Sequence, residues 1–413
     1  MSSPADATYA QRIAFVSEVA VHLHRYGTTA QRLEGAINAL SQQLGLDCQP
    51  WTNPTGLILS FSDPAKPPGL SDTTRVIRLA PGENDLHKLS EADRIADAVG
   101  TGRMSISQGQ TALRGLDRPP GRRWQVMQVV AFGLSAAGLA GIWRLPWLDI
   151  CTAGLIGLAI GLFTHLSDRR PRMKEAHDAV AAMLAGFVAI LVGNFVAPLN
   201  LNTVVIASLV PLLPGLMLTN SVNELTSGHW VSGVARFAGA ISTILKLTVG
   251  SLIAVTVAKL LGVYPDARAW RPQPDWVEWV ALLTTAFAFA ILFRASVRDY
   301  AWVMAAAVAG FLLARYGGQT WGGAAGVFLA AMTMTAAGNL FARLTNRPGA
   351  IIRVPGIIML VPGSASLRGL MNLVQQLDAG ASSDALLDVI NIIMALVAGL
   401  LFGNLLAPAR KNL

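Results

Sequence analysis

Two short stretches carry the residue types with which a membrane protein can grip a small polar solute. LVPLLPGLMLTNSVNE (209–224) sets Pro214 and Gly215 after an apolar run, with Asn220 and Glu224 following; MLVPGSASLRGLMN (359–372) repeats the pattern with Pro362 and Gly363, then Ser364, Ser366 and Arg368. Proline removes a backbone donor and clashes with the preceding turn, and glycine does not resist unwinding. In lipid such a break survives only where the freed backbone faces protein or a water-lined cavity. Interrupted helices at matching places in two halves of a chain point to a transporter's central binding site. The bland alternative is that these prolines only kink their helices.

The ionisable groups nearby have two readings each. Glu224 is either the acceptor of a coupling proton or a solvated inner-loop carboxylate. Arg236 reaches lipid headgroups or Glu224. Lys246 falls deep in an apolar run, where an ionisable group is a functional candidate by default; its alternative is a buried pair with Glu224. Arg368 reads a substrate carboxylate or anchors at the outer interface. Asn194 and Asn339, in VGNFVA and AGNLFA, could take a polar group of the solute or cross-link neighbouring helices.

The elements that must position these residues are membrane spans. The chain has 413 residues, 14% of them charged, with a net charge of +8 and a mean hydropathy of +0.48. After residue 123 its uncharged runs approach the roughly 20 residues a spanning helix needs. Ten spans are expected near 124–143, 149–166, 177–197, 202–220, 233–262, 276–294, 299–316, 320–342, 351–375 and 385–408. Arg122, Arg123, Arg169, Arg170, Arg172, Lys174, Arg294, Arg298, Arg343, Arg347, Arg410 and Lys411 gather on one side, which places both termini in the cytoplasm.

Asn194 precedes Pro214 by 20 residues and Asn339 precedes Pro362 by 23. Spans 1–5 (121–262) thus correspond to spans 6–10 (276–413), and an odd number per copy makes the repeat inverted. The expected fold class is an all-α polytopic membrane protein: ten transmembrane helices as two inverted five-helix repeats with broken helices. A small α+β soluble domain over 1–120 precedes them. In that domain, apolar residues at helical spacing predict helices around Ile13–Leu23 and Leu33–Leu44, the latter capped at Thr28 or Thr29. GLILSF (56–61) and RVIRL (75–79) read as strands. A third helix is expected to be capped at Ser90, and a fourth to cover Ser107–Leu116.

PGLMLTNSVNELTSGHWVSGVARF (214–237), VPGSASLRGL (361–370), HRYGTTAQRLE (24–34) and RL-x6-LHKL (78–89) resemble the threonine/serine exporter family of bacteria, over nearly the whole chain. The resemblance implies proton-driven export of L-threonine and L-serine across the bacterial inner membrane. It implies a proton role at Glu224 and His229, where the family has an acidic and a polar residue, often aspartate at both. Such a substrate needs a seat for its carboxylate, which amides just after the breaks around Gly215 and Gly363 could provide; Asn194, Asn339 and freed carbonyls could take its ammonium. A sister group of the same architecture resembles dicarboxylate (succinate) exporters and keeps that alternative open.

Several classes are excluded. No G-x-x-x-x-G-K-[ST], G-x-S-x-G or H-E-x-x-H occurs, so neither ATP-driven pumping nor an integral membrane hydrolase is expected. The histidines lack metal-ligand spacing, and no cofactor, metal or catalytic residue is expected. Most arginines and lysines flank apolar spans, and no basic face interleaved with aromatics suggests nucleic acid. Cys48 and Cys151 make no disulfide framework. A homo-oligomer stays open.

Overall fold

The computed structural model describes residues 7–67, 69, 72–167, 170–263, 272–360, 367 and 384–408. The N-terminal domain opens with α1 (Tyr9–Arg25), whose Thr8 and Gln11 form a reciprocal capping box. Helix α2 (Ala30–Gln43) follows, its buried face formed by Leu33, Ile37 and Leu40. Strands β1 (Asp47–Asn53), β2 (Gly56–Ser62) and β3 (Thr73–Arg78) make an antiparallel sheet in the order β1-β2-β3. The two expected strands are the second and third.

The first strand was not expected because Pro50 interrupts it; as an edge strand it tolerates a residue without an N–H. Helices α3 (Leu86–Gly100) and α4 (Ile106–Gly115) complete the domain. The cap of α3 is Asp85, which accepts from the Lys88 N–H, and Ser90 lies buried within the helix. The apolar stripe begins at Leu86 and Leu89, so the helix starts a turn earlier than the serine suggested.

The membrane region consists of α5 (Arg122–Ile142), α6 (Trp147–Ser167), α7 (Pro171–Phe195), α8 (Leu201–Ser208), α9 (Gly215–Thr226), α10 (Trp230–Leu260), α11 (Asp275–Leu292), α12 (Tyr300–Trp321), α13 (Gly323–Thr345), α14 (Ala350–Ile358) and α15 (Asp384–Leu406). Among the described residues seven helices are long and apolar enough to span a bilayer. An eighth span results if α8 and the segment Val210–Thr226 count as one. Most of the ninth expected span, 351–375, lies outside the described residues.

Close approach of small residues joins these helices, as expected where lipid supplies no hydrophobic drive between them. A Cβ on Gly157 of α6 would meet the Phe132 carbonyl of α5 at 2.7 Å, and one on Gly250 of α10 would collide with the Ala179 carbonyl of α7. Large apolar side chains such as Leu162, Leu191, Leu245, Leu283 and Phe402 point outward instead. Helix α5 packs on both α6 and α11 and so joins the two halves of the membrane region.

Candidate functional site: a cavity at the broken helix

The break between α8 and α9 follows from its sequence. Pro211 and Pro214 cannot donate to a helical ladder. After α8 the chain makes a 3-10 turn over Val210–Leu212, extends at Leu213 and restarts at Gly215. The two arms meet at 52°. The Gly215 N–H turns back onto the Leu213 carbonyl at 2.8 Å, so it is already used. Leu216 and Met217 occupy the first turn of α9, where amides lack an intrahelical acceptor. Neither amide has an acceptor among the described residues.

Both residues line a cavity of about 580 Å³, together with Pro214 and Gly215. That volume falls within the roughly 300–1,000 Å³ usual for small-molecule sites. The walls are mostly apolar, with Phe132 of α5, Phe289 of α11 and Met359 beyond α14. Gln128, Thr164, His165 and Thr285 supply polar groups, and Glu83, Asn84 and Arg294 line the part nearest the N-terminal domain. The Thr164 and Thr285 hydroxyls both lie within hydrogen-bond distance of carbonyls one turn back, Ile160 and Ala281; the Thr164 oxygen is also 2.9 Å from His177 Nε2, whereas the Thr285 oxygen is left able to accept.

A second cluster sits where the N-terminal domain meets the membrane helices. Glu224 of α9 is fully buried. Its carboxylate accepts from the Ala30 N–H at 2.9 Å, Ser232 Oγ at 2.7 Å and Arg236 Nε at 3.0 Å to each oxygen. Ala30 is the first residue of α2, and its cap residue Thr29 makes no side-chain capping bond. A carboxylate from the membrane helices therefore caps a helix of the N-terminal domain, where the helix dipole favours an anion. Beside it His229 Nε2 lies 3.1 Å from Glu34 Oε2, and Glu34 also accepts from the Thr52 N–H and hydroxyl.

On the other half, the Leu86 and His87 amides that open α3 donate to the Phe293 and Arg294 carbonyls that close α11, at 3.0 and 3.1 Å. Arg294, at φ 51°, lies 3.5 Å from Asp85 and 3.7 Å from Glu83.

The structure thus brings Pro214, Gly215 and Asn220 to the broken segment, with only the first two lining the large cavity. Asn194 is exposed near the end of α7 and does not line it. Asn339 is buried and cross-links, donating to Asn404 Oδ1 at 2.9 Å and the Ala407 carbonyl at 2.8 Å. Glu224 is neither solvated nor paired with Lys246; its cation is Arg236.

Lys246 is exposed on the outer face of α10. It follows Leu245 on the outward stripe, while Ile244 and Leu247 turn inward. Pro362, Gly363, Ser364, Ser366 and Arg368 lie outside the described residues; Leu367 is fully buried in the core of the first half. Sequence reasoning missed Gln128, Thr164, His165 and Thr285, isolated polar residues in apolar runs, which were the available signal.

These features define a polytopic helical membrane protein with an internal cavity at a broken helix. Residues 14–258 match the family described as "Putative threonine/serine exporter", and residues 278–406 match "Threonine/Serine exporter, ThrE". The chain belongs to the threonine/serine exporter family. It is 23% identical over 337 residues to a "Probable threonine/serine exporter" of Mycobacterium tuberculosis, covering 78% of this chain and 63% of the relative. It is 24% identical over 385 residues to a "Pheromone-regulated membrane protein 10" of Pichia sorbitophila, covering 89% of this chain and 38% of the relative. The chain therefore spans under two thirds of the length of these relatives. No solved structure matches.

Proposed function

We propose that the chain exports small amino acids, threonine and serine, across a bacterial inner membrane in exchange for protons. The observation that carries this reading is the cavity of about 580 Å³ at the Pro214–Gly215 break, within a chain of this family. The substrate carboxylate sits at the Leu216 and Met217 amides, at the positive end of α9. Its ammonium and hydroxyl find Thr285 and Gln128. With both termini cytoplasmic, the cavity communicates with the cytoplasm beneath the N-terminal domain.

The second Pro-Gly pair, Pro362–Gly363, with Ser364, Ser366 and Arg368, supplies the facing half of an inverted repeat. Glu224 and His229 are the proton-handling candidates, since both bridge the membrane helices to the N-terminal domain. Lys246 is left out because its side chain faces away from the cavity. The dicarboxylate alternative calls for cations converging on the break. Arg294 is the one arginine or lysine among the described cavity residues, and it already faces Asp85 and Glu83.

The test is counterflow in proteoliposomes loaded with unlabelled threonine, serine or succinate, with a pH gradient applied or collapsed. Gradient-sensitive threonine exchange, lost in Gly215→Leu protein that still folds, is the expected result. Succinate exchange without threonine exchange overturns the substrate, and full flux in Gly215→Leu overturns the site.

A further inference from the structure

A smaller cavity, about 60 Å³, is enclosed between the N-terminal domain and both halves of the membrane region. A cavity needs roughly 10–15 Å³ of such space to hold a water, so this one takes about four waters or a ligand with few heavy atoms. Tyr26, Thr28 and Arg32 line it from one side, and Asn220, Thr335 and Asn404 from the other.

Its polar groups are unusually unsatisfied. Tyr26 Oη, Thr28 Oγ1, Arg32 Nη1 and Thr335 Oγ1 are all buried without a hydrogen-bond partner. Buried polar groups without partners are rare in folded proteins, and several around one cavity call for an unseen occupant.

The character of that occupant follows from Arg32. Burial pushes its guanidinium down to about 10, so it remains charged at neutral pH. Its one hydrogen bond among the described residues is a long one, 3.4 Å from Nη2 to Asn339 Oδ1. No carboxylate among the described residues lies within ion-pair distance of it. A buried charge without a counter-charge is strongly unfavourable. Water could satisfy the hydroxyls but would leave the charge uncompensated. Arg353 adds a second cationic residue to the lining, and the three hydroxyls can all donate. A small, donor-rich, cationic cavity fits an anion, and the planar fork of a guanidinium matches a carboxylate.

We propose that this junction cavity is a binding site for a small carboxylate, with Arg32 as its cation. The ligand is a short-chain acid or the acid group of a small amino acid. Because α2, α9, α13 and α15 all contribute to the walls, an occupied site holds the N-terminal domain against both membrane halves. This inference does not rest on the exporter reading, since it concerns a separate cavity and a ligand class defined by charge.

The test is thermal stability of the purified full-length protein in detergent, exchanging sodium chloride for sodium acetate at constant ionic strength. L-threonine and L-threoninol, which lacks the carboxylate, are compared in parallel. Acetate should raise the unfolding midpoint while threoninol should not, and Arg32→Gln should weaken the apparent acetate affinity at least tenfold. A threonine response also lost in Arg32→Gln assigns the site to amino acids; a response to acetate alone assigns it to short-chain acids.

No shift on replacing chloride by acetate overturns the proposal, as does an equal shift with threoninol, or an unchanged acetate response in Arg32→Gln. Should Arg32→Gln fail to fold, the wild-type comparison still decides. Thr335→Val gives a second variant, expected to weaken acetate severalfold. Threonine counterflow on the same preparation separates this outcome from that of the exporter reading.

Discussion

Removing the Glu224 carboxylate should unfasten the N-terminal domain and destabilise the whole chain. In Glu224→Ala, Arg236 keeps its charge with 12% of its side chain exposed, while Ala30 and Ser232 lose their acceptor. Breaking a buried ion pair from one side costs about 3–5 kcal/mol, because the surviving charge is left uncompensated. Arg236→Met should cost a similar amount for the mirror reason.

The double variant leaves no orphaned charge and loses only the neutral bonds, about 1 kcal/mol each. The summed single costs are about 6–10 kcal/mol and the double, with two neutral bonds lost, costs about 2 kcal/mol, so the shortfall should be roughly 4–8 kcal/mol, above the usual range of measured couplings. The assay is denaturant unfolding of the full chain in mixed micelles, with hydrogen exchange at the Ala30 amide, which donates to Glu224, reporting release of the domain. Both single variants should speed that exchange. Additivity within about 0.5 kcal/mol would refute the view that this pair anchors the domain, and an Ala30 amide still protected in Glu224→Ala would refute its capping of α2.

Three further expectations come from other contacts. Burial raises the Cys48 thiol to about 11, so at pH 8 iodoacetamide should label it only after unfolding; mass spectrometry reads this directly. A Cβ on Gly310 of α12 would collide with the Gly356 carbonyl of α14. Gly310→Ala should therefore cost about 1–3 kcal/mol by overpacking, seen as a lower unfolding midpoint. Burial lowers the pKa of His24 below 6.5. The unfolded chain then binds a proton that the folded domain refuses, so stability falls as pH drops below 6.5, until the folded histidine also protonates. His24→Gln should flatten that part of the pH–stability curve.

How much of this was legible beforehand depends on the kind of interaction involved. Helices α5, α6, α7 and α10 to α13 were visible because a bilayer demands long apolar runs, and such runs cannot be hidden. The break at Pro214 was visible because proline's missing donor is a local property. Side-chain direction within those runs was far less visible: Lys246 and Asn194 face outward, while Thr285, in an equally apolar run, lines the cavity. A span buried on one side and exposed to lipid on the other is apolar all round, so hydrophobic periodicity no longer tells inward from outward.

Least visible was the docking of the N-terminal domain. Three of its attachments use main-chain amides: Ala30 on Glu224, and Leu86 and His87 on the carbonyls that end α11. Those groups exist at nearly every residue, and only the fold decides which helix ends meet. Glu224 therefore read equally as a coupling-proton acceptor or a loop carboxylate, and nothing marked Ala30, Leu86 or His87 as points of attachment. Helix starts pressed against a membrane carboxylate on one half and a helix terminus on the other make the N-terminal domain a bridge between the halves. Any relative movement of α9 and α11 has to strain one of these contacts, so the domain resists a change in the cavity between them even where it never touches the solute. Weakening either contact alone should ease that movement, which separates bridging from simple anchoring to one half.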